Sequence, residues 1–306
     1  MKKEENSPLK FESLSDAHRY FGVPLPKHPL ISMLNGAHNQ IELYNMPQRH
    51  VLGFYKISYK PKLGGKVKYG QGYYDFDEGG LLFASPGQVI GGDDNGDTVC
   101  SQYTLLIHPD FFLGYPLAKK IKQYGFFSYA INETLHLSED EKATIMSIFR
   151  IMDVELHNRI DDFSQDVVIS QIELLLNYAN RFYKRQFITR KAVHNDLLER
   201  LEESLNNYFN NDTILRQGVP TVAYLAKELN LSPSYLSDML RSLTGQSAQQ
   251  HIHDKLIEKA KEILSTTNLS VGDVAYALGF EYAQSFSKLF KSKTSLSPLE
   301  FRQQFN

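Results

Sequence analysis

The chain has 306 residues, 42% hydrophobic and 22% charged, with 19 glycines and 12 prolines. That length fits about two domains of ordinary globular composition, and it excludes a disulfide-stapled miniprotein, a collagen-like chain and a low-complexity chain. The single cysteine, Cys100, can form neither an intrachain disulfide nor a thiolate metal site, and the net charge of −2 offers no bulk attraction to a polyanion. The opening residues Met1-Lys2-Lys3-Glu4-Glu5-Asn6 have no apolar run behind the lysines, and nowhere do about 18 apolar residues follow one another. Neither a secretory signal nor a membrane span is expected, and the expected location is the cytoplasm.

Over about 20–110 the apolar residues form short alternating or continuous runs: Val51 to Ile57, Leu81 to Ala84 and Thr98 to Ile107. Gly64-Gly65, Gly79-Gly80, Pro86-Gly87 and the hairpin pair Asn95-Gly96 punctuate them, which predicts a small antiparallel sandwich or barrel. The period then becomes helical. Ser138-Glu139-Asp140-Glu141 has the form of a capping box, and Ile145, Ile148, Phe149, Met152 and Leu156 recur behind it at three- and four-residue spacing. Val168, Ile172, Leu175, Leu176, Ala179 and Phe182 repeat the pattern, so two long helices are expected over about 138–190. The apolar residues Ile145, Met146, Ile148, Phe149, Ile151, Met152 and Val154 nearly encircle the first, more than one small β domain can cover, and a two-fold homodimer follows as the expected assembly.

Beyond about residue 193 the chain repeats itself. Val222-x-x-Leu225-Ala226-x-x-Leu229-Asn230-Leu231 matches Val271-x-x-Val274-Ala275-x-x-Leu278-Gly279-Phe280, and one residue later Leu236, Leu240, Thr244, Ser247 and His251 match Phe286, Phe290, Thr294, Ser297 and Phe301. Each copy reads as helix, tight turn, helix. Alanine removes bulk where the helices cross, Asn230 or Gly279 suits a left-handed turn residue, and Ser232-Pro233 supplies an N-cap and first helical position. The units fall at about 221–245 and 270–294. Residues 247–266 between them can form one helix of about 30 Å, close to the ~34 Å between successive major-groove faces of B-DNA. The fold class expected is α+β, with residues 1–192 as a β-sandwich or barrel plus two helices and residues 193–306 as an all-α, double helix-turn-helix domain.

These residues carry a resemblance. Ser270-Val271-x-Asp273-Val274-Ala275-x-x-Leu278-Gly279-Phe280, followed by Ser285-Phe286-Ser287-Lys288-x-Phe290-Lys291-x-x-Thr294-x-x-Ser297-Pro298-x-x-Phe301-Arg302, resembles the signature of AraC/XylS-type transcriptional regulators over about 197–305. The resemblance implies a cupin-like sensing and dimerising half ahead of a DNA-binding half, double-stranded DNA as partner, and RNA polymerase and a small-molecule effector as further partners. It implies no cofactor. Ser295 departs from the family's usual glycine, which the first copy keeps as Gly245, and Asp238 stands where the family often has arginine.

On the first reading helix Leu236, Leu240 and Leu243 point inward by spacing, leaving Ser234, Tyr235, Ser237, Asp238 and Arg241 outward. Aspartate can accept from a cytosine amino group, or simply be a helix charge exposed to solvent. On the second, Ala283, Gln284, Ser287 and Lys288 match the family's groove-facing positions, with Lys291 placed for phosphate. Gln284 can pair with adenine and Lys288 with guanine.

Other constellations carry less. His251-x-His253 would splay on a helix, and Asp93-Asp94-Asn95-Gly96-Asp97 has Thr104 where a calcium loop needs glutamate. His28, His38, His50 and His108 lack the clustered spacing of a metal cupin, and Gly64-Gly65-Lys66 lacks the rest of a phosphate loop, so no metal site is expected. The alternative to a regulator is a non-metal cupin enzyme carrying a DNA-binding tail. The aromatic residues Phe54, Tyr55, Tyr59, Tyr69, Tyr73, Tyr74 and Phe76 are either pocket lining or core. Leu197, Leu198, Leu201 and Leu205 should dock on the first helix-turn-helix, and Asn210-Asn211-Asp212 to Gly218-Val219-Pro220 reads as a hinge.

Overall fold

The computed structural model describes residues 8–36, 49–61, 66–69, 72–75, 79–90, 101–130, 133–157, 164–189, 191–211 and 213–305. The Asp93–Asp97 segment, Cys100, His38, Phe76 and the Gly64-Gly65 pair lie outside them. The chain divides into two compact units, Met1–Gln186 and Phe187–Asn306.

In the first unit the strands are β1 (Leu9–Phe11), β2 (Ile31–Asn35), β3 (His50–Leu52), β4 (Tyr55–Lys60), β5 (Lys66–Tyr69), β6 (Gly72–Asp75), β7 (Gly80–Ala84), β8 (Val89–Ile90), β9 (Tyr103–Ile107) and β10 (Leu135–His136). They form a five-stranded antiparallel sheet ordered β10-β7-β4-β9-β2, a three-stranded sheet ordered β1-β3-β8 and a β5-β6 hairpin. The run from Val51 to Ile57, continuous in sequence, is cut at Gly53-Phe54, so that β3 and β4 enter different sheets. The Gly53 amide donates to the Phe11 carbonyl at 2.8 Å, and a Cβ at Gly53 would lie 3.3 Å from the Glu12 Cα. Glycine is what allows the corner to close this tightly.

The helices of this unit are α1 (Leu14–Tyr20), α2 (Leu117–Lys120), α3 (Glu139–His157) and α4 (Ser164–Thr189), the last ending three residues past the boundary at Gln186. Reciprocal bonds open α3: the Ser138 amide donates to Glu141 Oε2 at 2.9 Å and the Glu141 amide to Ser138 Oγ at 3.4 Å. Ile57 in β4 stands between Phe83 of β7 and Leu105 of β9, and Tyr103 stacks on Phe149 of α3 at 5.5 Å. Phe11, Leu14, Leu52, Phe54 and Leu106 form a second buried cluster. Phe54, Tyr55 and Tyr59 are buried, Tyr55 with its ring edge toward Phe112 and Phe127. On α3, Ile145, Met146, Ile148, Phe149 and Met152 are buried, whereas Ile151 and Val154 are more than half exposed.

The second unit is helical: α5 (Lys191–Asn210), α6 (Thr213–Gln217), α7 (Val222–Glu228), α8 (Pro233–Thr244), α9 (Ala248–Thr266), α10 (Val271–Ala277), α11 (Ala283–Thr294) and α12 (Pro298–Arg302). A β-rich part followed by a helical part makes the chain α+β. Ala226 and Ala275 are both fully buried, on α7 and α10, which pack against α8 and α11. Leu201 and Leu205 of α5 are buried, and Tyr208 brings its ring to 4.7 Å from Tyr224 of α7.

The segment read as a hinge is not slack. Its middle is helix α6, Ile214 and Pro220 are buried, and the Tyr208 hydroxyl donates to the Gly218 carbonyl at 3.0 Å. The Gly-Val-Pro stretch breaks the helix, as its composition requires, but the break is packed. Among the described residues no helix is long and apolar enough to cross a membrane.

Candidate nucleic-acid interface

Each repeat builds the same local object. In the first, the Ser232 side chain accepts from the Tyr235 amide, Pro233 takes the first helical position, and Asn230 turns left-handed at φ 57°. In the second, Gly279 takes the same turn at φ 78°, and the amides of Leu231 and Phe280 reach back to the carbonyls of Ala226 and Ala275 at 2.8 and 3.0 Å. Each second helix ends alike. Thr244 and Thr294 donate to the carbonyls of Leu240 and Phe290 at 2.9 and 2.8 Å, and Gly245 and Ser295 adopt left-handed caps at φ 78° and 65°. Capping boxes then open the next helices: the Ser247 amide donates to Gln250 Oε1 and the Ser297 amide to Glu300 Oε2, both at 2.7 Å. Helix α9 joins the copies, and its 19 residues span about 28 Å.

On α8, Ser234, Ser237 and Asp238 are partly exposed and Arg241 is exposed. Tyr235 is not on this surface. It is fully buried, packed edge to face against Phe187 with ring centroids 5.2 Å apart. The buried stripe is Tyr235, Leu236, Met239 and Leu240, wider than the leucine spacing alone indicated, because a residue far upstream supplies the surface that covers the phenol ring. Leu243 is only partly buried.

Asp238 and Arg241 are paired, carboxylate to guanidinium, at 2.9 Å. The outer face of α8 thus combines two serine hydroxyls with a self-neutralised ion pair. Helix α11 differs. Phe286 and Phe290 are buried, Ala283 and Ser287 are partly exposed, and Gln284, Lys288 and Lys291 are exposed. Lys293 of the same helix pairs with Asp254 of α9 at 2.8 Å. Of the two helix faces, that of α11 carries the exposed, cationic side chains Lys288 and Lys291.

His251 Nε2 lies 2.9 Å from Thr244 Oγ1, and His253 Nε2 lies 2.9 Å from Gln249 Nε2. The described residues contain no group of three or more His, Cys, Asp or Glu that could hold a metal ion.

In the first unit a cavity of about 430 Å³ lies beside β2, lined among others by His18, Lys27, His28, Met33, Asp153 and His157. The His18 ring is buried and its Nδ1 donates to the Pro24 carbonyl, which leaves Nε2 without a hydrogen-bond partner among the described residues. Burial pushes the His18 pKa below its ordinary value, against a smaller opposing effect of the Pro24 carbonyl. Asp153 and His157 are 3.2 Å apart. No sequence motif marks this cavity, since its walls come from segments far apart in the chain.

A family described as a helix-turn-helix domain matches residues 225–304. The chain is 30% identical over 140 residues to the arabinose operon regulatory protein of Salmonella typhimurium, a match covering 46% of this chain and 47% of that protein. It is 40% identical over 81 residues to the arabinose operon regulatory protein of Escherichia coli, covering 26% and 28%. The chain thus spans less than half the length of these two relatives. The C-terminal domain of the two-component response regulator yesN from Fusobacterium nucleatum aligns with 29% identity over 35% of this chain and 98% of that one, at a TM-score of 0.31. Residues 225–304 thus carry a helix-turn-helix domain of the AraC type, similar to part of the arabinose operon regulatory proteins.

Proposed function

We propose that this chain is a cytoplasmic, sequence-specific DNA-binding regulator of transcription that reads two successive major-groove segments of double-stranded DNA. The observation that carries this reading is the pair of matched helix-turn-helix units at either end of α9, whose length is close to one turn of B-DNA. Ser234, Ser237, Asp238 and Arg241 form the first reading surface, and Ala283, Gln284, Ser287 and Lys288 the second, with Lys291 on phosphate. The domains run from 1 to about 192 and from about 193 to 306. The first is a cupin-like sandwich that pairs two chains through the exposed apolar face of α3 at Ile151 and Val154. It takes up a small-molecule effector, and the DNA-bound protein acts on RNA polymerase. Its role is not enzymatic.

The test is selection of binding sites by the full-length protein from randomised duplex DNA. Selected sites should hold two half-motifs about one helical turn apart. Gln284→Ala and Lys288→Ala should each cost about 1–3 kcal/mol on the selected site and little on random DNA. Equal losses on both would reduce these residues to backbone contacts.

A further inference from the structure

The two copies of the repeat diverge at their turn: Asn230 in the first, Gly279 in the second, both left-handed. Asparagine tolerates that conformation, so positive φ alone does not explain why the second copy has glycine. The surroundings do. A Cβ at Gly279 would lie 2.6 Å from the carbonyl carbon of Gly218, 2.8 Å from the Val219 nitrogen and 2.9 Å from the Gly218 Cα. One placed at Gly218, itself at φ 76°, would lie 3.2 Å from the Gly279 carbonyl oxygen. The turn of the second helix-turn-helix thus rests directly on the backbone of the segment that leads into the first.

That segment is held from behind. The Gly218 amide donates to the Ile214 carbonyl and its carbonyl accepts from the Tyr208 hydroxyl, both at 3.0 Å, and Tyr208 is buried on α5.

We propose that Gly218 and Gly279 form a backbone brace that fixes the second helix-turn-helix against α5 and α6, and so sets the spacing and angle at which the two reading helices meet DNA. Helix α9 joins the copies, and α8, α10, α11 and α12 pack on it, with Lys293 paired to Asp254 at 2.8 Å. The brace is a further attachment, made away from α9, that fixes the turn of the second copy to the segment leading into the first. Gly218, Gly279 and Tyr208 are positioning residues in this scheme and touch no base. It also gives α5 a direct mechanical route to the second reading helix that bypasses the first.

This inference rests on the two-segment reading of DNA, and the experiment separates the two. Sites selected by the full-length wild-type protein are remade with one base pair added or removed between the half-motifs. Wild-type protein should prefer the selected spacing by about tenfold or more, and Gly279→Ala should cut that preference to within about threefold. Gly245→Ala is the control, because Gly245 has φ 78° with nothing within 4 Å of a Cβ, so it carries the backbone strain without the collision. Its spacing preference should stay as in wild type. Tyr208→Phe removes the bond to Gly218 without strain and should weaken the preference in the same direction, which decides the matter if Gly279→Ala does not fold. Wild-type protein that selects no DNA overturns the two-segment reading itself. Wild-type protein that binds without spacing preference, or Gly279→Ala and Tyr208→Phe variants that retain it, overturns the brace alone.

Discussion

The carboxylate of Asp238 lies 2.9 Å from the guanidinium of Arg241, one turn further along α8. The pair holds the one cation on the exposed face of α8 in an intrahelical contact. Replacing Asp238 by Asn should free Arg241 for phosphate, raise affinity for random DNA, and steepen the dependence of log K on log salt by about 0.9. Titrations of random duplex at several salt concentrations measure this slope. An unchanged slope would mean that Arg241 makes the same contacts with or without its partner.

Tyr235 and Ser234 are adjacent on α8 but belong to different parts of the protein. Tyr235→Ala removes a fully buried ring and should cost about 3–5 kcal/mol of stability. Ser234→Ala, on the partly exposed side, should stay within about 0.5 kcal/mol. Urea denaturation of both variants checks the pair of values. A Tyr235→Ala protein of wild-type stability would return this residue to the reading surface.

Ser295 caps α11 at φ 65°, where the first copy has Gly245 at φ 78°. A residue with a Cβ pays about 1–2 kcal/mol in that region. Ser295→Gly should therefore raise the melting temperature without weakening DNA binding. A lower melting temperature would show that the serine side chain makes a compensating interaction.

The buried His18 makes the first unit sensitive to acid. Its folded-state pKa lies below the ordinary 6.5, because burial disfavours the charged ring. The unfolded chain therefore takes up a proton first as pH falls. The contribution of the neutral ring is complete above 6.5 and is lost as pH drops below it. The urea midpoint should fall between pH 7.5 and 5.5, and His18→Asn, which keeps a donor for Pro24, should flatten that fall. The same pH dependence in the variant would assign the effect to other groups, His28 among them, whose pKa burial also lowers.

What could be read from sequence was what local chemistry decides. Ser232-Pro233, the left-handed turn at Asn230 and Gly279, and the Ser138–Glu141 box depend on residues within a few positions of one another, and each has the geometry that its composition calls for. The misses are non-local. Tyr235 looked outward because its cover, Phe187, lies far upstream, and 210–220 looked slack because Tyr208 and Gly279 fasten it from two other elements. The cavity at His18 gathers the α1 region, β2 and the end of α3, and no periodicity in any one of them announces it. Gly53 was visible as a glycine but not as the corner where one apolar run parts into two sheets.

Hydroxyl-radical footprinting of the full-length protein on its selected duplex tests the two-segment reading most directly. Two protected patches on one face of the DNA, about 10 base pairs apart centre to centre, are expected from reading helices at the ends of α9. A single patch of one half-site, or protection that follows no sequence register, would contradict it.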